Sequence, residues 1–140
     1  MSFEDIQSGS VIRFSYLWTR EAARGETEGR KDRPTAVGFR LPRPSGEDVL
    51  VLFPITSQPP QPGRFAVEIP EMEKRRAGLD SLLRLWIVLD DYNTDIVGRS
   101  FHLEPVPPLG QFSKAFFVPL MREFVQRKSE AHGVEPHRAV

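Results

Sequence analysis

The side chains able to do chemistry in this chain sit in a few places. The run from Thr19 to Arg33 carries Arg20, Arg24, Arg30, Lys31 and Arg33 among Glu21, Glu26, Glu28 and Asp32. Thr56-Ser57-Gln58 places two hydroxyls and an amide at the end of an apolar run. Asp90, Asp91, Asn93 and Asp95 form an acidic group, yet the glycine and terminal glutamate of a calcium loop are missing. His102, His132 and His137 are not at metal-ligand spacing, and no Ser or Thr has a His–Asp partner pattern. The absence of cysteine excludes thiolate nucleophiles, disulfides and Cys-based metal sites. No metal and no cofactor is therefore expected. Arginine, hydroxyl and carboxylate remain: a guanidinium fork fits phosphate oxygens, a hydroxyl donates to them, and a carboxylate moves a proton.

Charge narrows the partners. Lys and Arg number 19 and Asp and Glu number 19, so the formal net charge is zero. Coating nucleic acid without specificity needs a broad excess of cations, and that is excluded; a compact site with a few placed arginines is not. Met1-Ser2-Phe3-Glu4-Asp5 has no basic segment leading into an apolar run, as a signal peptide would. No stretch approaches the ~20 apolar residues of a membrane span. The expected address is the cytoplasm, with no membrane partner.

The elements that must position these groups are short strands. Ile12, Phe14, Tyr16 and Trp18 alternate with Arg13 and Ser15, so Val11 to Trp18 reads as a half-buried strand. Thr19 to Arg33 has almost no large apolar residue and carries Gly25 and Gly29, which reads as a long mobile loop: either a solvated charged linker or, over Thr19 to Asp32, a lid at a site. Val37, Phe39 and Leu41 alternate after Pro34, and Pro42-Arg43-Pro44-Ser45-Gly46 is turn chemistry. Asp48 to Ile55 is nearly all apolar, as in a strand covered on both faces and paired with its predecessor. Further strands are expected around Phe65–Ile69, Leu82–Leu89 and, weaker, Ile96–Leu103, with Asp90-Asp91-Tyr92-Asn93 ending the second of them. Glu71 to Arg76 places acids before bases and a glycine follows at Gly78, which suits a short helix. Phe116, Phe117, Leu120, Met121, Phe124 and Val125 form one face of a terminal helix, starting near Val118 or kinked at Pro119. The fold class is mainly β with helices (α+β): a small barrel or strongly curved antiparallel sheet with a C-terminal helix. A single domain over 1–128 is expected, followed by a polar, disordered tail at 129–140.

Three segments, in order, resemble the MazF/PemK family of toxins, within the CcdB/MazF superfamily. They are Gly9-Ser10-Val11-Ile12 followed by the charged stretch and Arg33-Pro34; Phe53-Pro54-Ile55-Thr56-Ser57; and Phe65-Ala66-Val67-Glu68-Ile69-Pro70 with Ala77-Gly78-Leu79. The resemblance covers roughly residues 9–127. It implies an SH3-like barrel, usually dimeric, and metal-independent cleavage of single-stranded RNA under the control of a cognate antitoxin.

Carried over residue by residue, the resemblance makes Arg33 and Thr56 the catalytic pair; Ser57, Gln58, Arg30 and Lys31 are the residues expected to bind the substrate. In such cleavage the neighbouring 2′-hydroxyl is the nucleophile, and the site must remove its proton and stabilise charge on the phosphorus oxygens. A guanidinium is a poor base, so Asp32, the other carboxylates of the long loop and His102 are the candidates for that role. The plain alternative makes Arg33 a surface residue at a strand entry and Thr56 a turn residue bonded to its own backbone. One departure stands out. Where the family carries a Gln-x-Arg pattern, this chain reads Leu85-Trp86-Ile87-Val88-Leu89-Asp90-Asp91. The alternative function is therefore a catalytically inactive toxin relative, acting as a protein-interaction module or as a gyrase-type poison.

Overall fold

The apolar pattern and the Pro-Gly turn do produce the expected hairpin. In the computed structural model, which describes residues 3–26, 32–98 and 106–135, strand β2 (Arg33–Pro42) runs antiparallel to β3 (Asp48–Thr56). Ala36 faces Phe53, Val37 faces Leu52, and the register shifts once between Val37 and Phe39. Successive pairs point to opposite faces. Ala36 and Phe53 therefore join one buried cluster, and Val37 and Leu52 join the other. This double covering is why β3 reads as an unbroken apolar run.

Around the hairpin the molecule is mainly an antiparallel sheet with a few helices. Strand β1 (Ser10–Phe14) lies against β2, and the short β7 (Gly110–Gln111) lies against β1. On the other side of β3, its end pairs with β5 (Trp86–Val88) and its start with β6 (Asp91–Ile96); β4 (Ala66–Glu68) flanks β5. Helix α3 (Lys114–Gln126) covers one face, setting Phe117, Leu120, Met121 and Phe124 into the core. Phe124 meets Phe53 edge-on at 4.8 Å between ring centroids. The helix begins four residues before Val118, capped by Ser113, whose hydroxyl accepts from Phe116 N at 3.2 Å. Pro119 thus lies inside it; the apolar stripe supplies the burial that offsets a cost of about 3 kcal/mol.

Helix α2 (Glu71–Arg76) forms as its charge order predicts, and Gly78 beyond it has φ +71. A Cβ at Gly78 would lie 2.2 Å from the carbonyl oxygen of Leu109, and one at Gly110 would lie 2.4 Å from the backbone of Ala77. The end of α2 and the start of β7 therefore touch backbone to backbone.

Several expectations are corrected. The first strand stops at Phe14, not Trp18, because the following backbone is claimed by β6: Asn93 accepts from Leu17 N (2.9 Å) and donates to Leu17 O (2.7 Å). Thr19 to Arg33 is not all loop. Helix α1 (Thr19–Ala23) opens it, with buried Glu21 reaching back to accept from Trp18 N at 3.0 Å, half of a capping box. Its first residues are thus packed structure rather than a mobile lid; Arg30 and Lys31 lie outside the described residues. The strand expected at Leu82–Leu89 shrinks to Trp86–Val88, since the buried Lys74 ammonium draws the carbonyls of Ser81 and Leu83 away from any ladder. Asp91 to Ile96 is a strand rather than a strand end; of the strand expected at Ile96–Leu103, residues 99–103 lie outside the described residues. After α3 a 3-10 turn (Lys128–Glu130) leads into β8 (His132–Val134), which pairs in parallel with β6 where a disordered tail was expected. Residues 136–140 lie outside the described residues. Among the described residues no helix is long and apolar enough to cross a membrane.

Candidate functional site

Antiparallel pairing brings the first residue of β2 to the last residue of β3. Thr35 pairs with Pro54, and Arg33 and Thr56 each lie two residues beyond that pair, at the same end of the hairpin. Phe14 of β1 flanks Arg33 and Trp86 of β5 flanks Thr56, so both positions are fixed from two sides. Two concavities of about 490 Å³ each open at this sheet end, and Arg33, Thr56 and Gln58 line both. The first is completed by Ser57, Arg13, Asp32 and Asp80 over a floor of Gly78, Leu79 and Leu109. The second is completed by Trp18, Arg20 and Arg64. Four of the six residues expected at the site, Arg33, Thr56, Ser57 and Gln58, are thus brought together.

The Arg33 side chain is half-buried, and its Nε is enclosed with no hydrogen-bond partner among the described residues. Its guanidinium carbon lies 5.4 Å from the centroid of the Trp18 ring. Burial lowers the pKa of Arg33, the Glu21 charge opposes this, and Arg20 adds to the lowering. Arginine starts so high that it stays a cation at neutral pH. Thr56 Oγ1 accepts from Gln58 N at 3.0 Å, so the turn role expected of it is real. That bond uses the oxygen as acceptor and leaves the hydroxyl proton available as a donor.

Carboxylates stand on the same wall. Asp32 Oδ1 accepts from Ser15 Oγ at 2.9 Å, and Asp80 Oδ1 accepts from Leu82 N at 2.9 Å. Each keeps a second oxygen for a ligand. The acidic group at Asp90–Asp95 serves the fold instead. Asp90 takes both Nε and Nη2 of Arg64 at 2.7 Å and Phe65 N at 3.1 Å. Asp91 accepts from the Tyr16 hydroxyl and from Thr19 N, and burial raises the pKa of both Tyr16 and Asp91. Among the described residues no three His, Cys, Asp or Glu side chains converge as metal ligands. His132 lies on exposed β8; His102 and His137 lie outside the described residues.

Sequence reasoning missed Trp18, Arg20, Arg64 and Asp80 at this site. Trp18 reads as one more apolar position of a strand, and Arg20 as one cation among many in a loop. No spacing in the sequence links either to Arg33; ties from Tyr16 and Thr19 to Asp91 and from Leu17 to Asn93, 72 to 76 residues apart, bring them there. Compared with protein-family models, with curated proteins and with solved structures, the chain matches none.

Proposed function

We propose that the chain is a metal-independent endoribonuclease of the MazF/PemK kind, built on an SH3-like barrel and cleaving single-stranded RNA at the Arg33–Thr56 cleft. One observation carries this reading: a half-buried arginine and a threonine with a proton to donate line the same open concavity. A guanidinium that lines a concavity offers phosphate oxygens a fixed fork of charge-assisted donors. In the proposed reaction the 2′-oxygen attacks the adjacent phosphorus and expels the 5′-oxygen of the next nucleotide, leaving a cyclic phosphate. Arg33 and Thr56 donate to the non-bridging oxygens as charge grows on them. Asp32 or Asp80 takes the 2′-hydroxyl proton, and a proton is returned to the leaving oxygen.

The test is single-turnover cleavage of single-stranded RNA with chelator present. Wild type should cleave, and Arg33→Ala should lose on the order of a hundredfold or more in rate. Arg33→Lys should restore little, because a point charge lacks the fork. Wild type that never cleaves overturns the reading in favour of a non-catalytic interaction module or gyrase-type poison.

Two protein partners belong to the proposal: an antitoxin and a second copy of the chain. Of the apolar stretch Leu82–Leu89, Trp86 to Val88 are buried within their own chain, whereas Leu82 and Leu83 stay exposed. Exposed Val118 and Val125 on α3, with Leu41 on β2, support a homodimer through the helix side instead. Sedimentation at tens of micromolar, by order of magnitude a range that detects ordinary dimers, should show two copies.

A further inference from the structure

The two concavities differ in charge. In the first, Arg13 and Arg33 stand with Asp32 and Asp80. In the second, Arg20, Arg33 and Arg64 line the wall without a carboxylate among the lining residues, and Asp90 behind the wall neutralises Arg64 alone. Arg20 and Arg33 are both drawn to one ring, with guanidinium carbons 4.5 and 5.4 Å from the Trp18 centroid. Trp18 is 6% exposed, so neither cation can move away from the other without uncovering the ring. Like charges held this close repel, and Arg20 makes no ion pair with a described carboxylate. In a chain of zero net charge, three arginines on one wall are a local concentration of cations, which Glu21 offsets at Arg33 and Asp90 at Arg64.

We infer that Arg20, held on Trp18 beside Arg33, is a second phosphate-binding position, so that the cleft grips two successive phosphodiesters of one RNA strand. The inference rests on the ribonuclease reading for the identity of the ligand. The scissile phosphate lies between Arg33 and Thr56; the neighbouring one lies in the second concavity, on the Arg20 fork. Stacking on Trp18 sets the plane of the Arg20 fork before the ligand arrives, which lowers the ordering cost of a long side chain. Arg20 itself is exposed, and Arg33 still lies over the Trp18 ring when it is removed.

The experiment compares random-sequence pools of 2′-O-methyl dinucleotides, with one phosphodiester, and trinucleotides, with two. The methyl group removes the nucleophile, so binding is read without cleavage. Calorimetry on the full chain gives affinity, and Trp18 fluorescence in a Trp86→Phe background gives location. Wild type should bind the trinucleotide pool tighter by about tenfold or more, as a charge-assisted bidentate contact supplies. Arg20→Ala should erase that increment, keep the dinucleotide affinity within about twofold, and flatten the salt dependence by about 0.7 in the log–log slope. Arg20→Lys should recover part of the increment. Equal affinity for both pools in wild type, or an Arg20→Ala variant that binds trinucleotides as wild type does, overturns the inference even where RNA is cleaved. Absence of both binding and cleavage overturns the inference and the ribonuclease reading together.

Discussion

Strand β2 carries an arginine near each end, and the two are treated in opposite ways. Arg40 donates from Nε to Asp48 at 2.7 Å and from Nη1 to the carbonyls of Phe3 and Ile6 at 2.6 and 2.9 Å. It closes the hairpin and ties down the segment before β1. Arg33, seven positions earlier, has a buried Nε with no partner and rests on an aromatic face. A saturated guanidinium serves the molecule that contains it. One that pairs with no described carboxylate and lines an open concavity is available to something that arrives. The same contrast separates Arg64, neutralised by Asp90, from Arg20 beside it.

Substitution at the two ends should separate stability from activity. The largest effect is expected from Arg40→Ala, which strands Asp48 and two carbonyls; it should lower unfolding free energy by about 2–4 kcal/mol in denaturant titration. Arg33→Met, similar in length and still covering Trp18, should cost less than about 1 kcal/mol, and RNA cleavage should nevertheless collapse. If Arg33→Met destabilises as much as Arg40→Ala, the distinction between the two ends fails.

Asn93 offers a second cut. Its amide satisfies both backbone groups of Leu17, so Asn93→Ala should cost about 2–3 kcal/mol by leaving them buried and unpaired. It should also weaken cleavage, because the Trp18 platform follows Leu17. Loss of stability with unchanged turnover per folded molecule would show that the platform does not depend on this tie.

A smaller effect should appear in the pH dependence of the neighbouring acids. Burial leads the shift that raises the Asp91 pKa, so the native state holds this proton more tightly than the unfolded chain. Its contribution to stability is present below the ordinary aspartate range and is lost as pH rises through the raised value. Asp90 runs the other way: burial works to raise its pKa, but the hydrogen bonds from Arg64 and Phe65 win and lower it. Its contribution is present above the ordinary range and is lost as pH falls through the lowered value. Stability of wild type relative to Asp91→Asn should therefore improve on acidification from neutrality, and relative to Asp90→Asn should worsen. Parallel pH profiles for the two variants would contradict this. The smallest change is expected in the fold of Thr56→Val, within about 1 kcal/mol for one exposed turn bond, even as its cleavage falls.

That Arg33 and Thr56 come together in the candidate site was legible because period-two alternation and a Pro-Gly turn fix a hairpin register, and the register fixes which ends meet. The half made by Trp18 and Arg20 was not. Helix α1 has no apolar periodicity; it stands on the Glu21 cap and on Thr19 N donating to Asp91. Strand β6 escaped for the converse reason. It turns Asp91, Asn93 and Asp95 inward and leaves Tyr92 and Thr94 half-exposed, whereas period-two reading assumes apolar groups inside. The α/β balance, the α2 charge order and the apolar stripe of α3 followed from local pattern alone, and only the starting point of α3 did not.

The backbone contact between Gly78 and Leu109, answered by Gly110 against Ala77, sets a limit on inheritance. In a saturation library, a side chain at either position would meet main-chain atoms that no neighbouring substitution can shorten. The two sites should thus be invariant together and show no compensating pairs, although neither bears a functional group. A lineage carrying this fold can exchange the cations that ring the cleft far more freely than the two hydrogens beneath it.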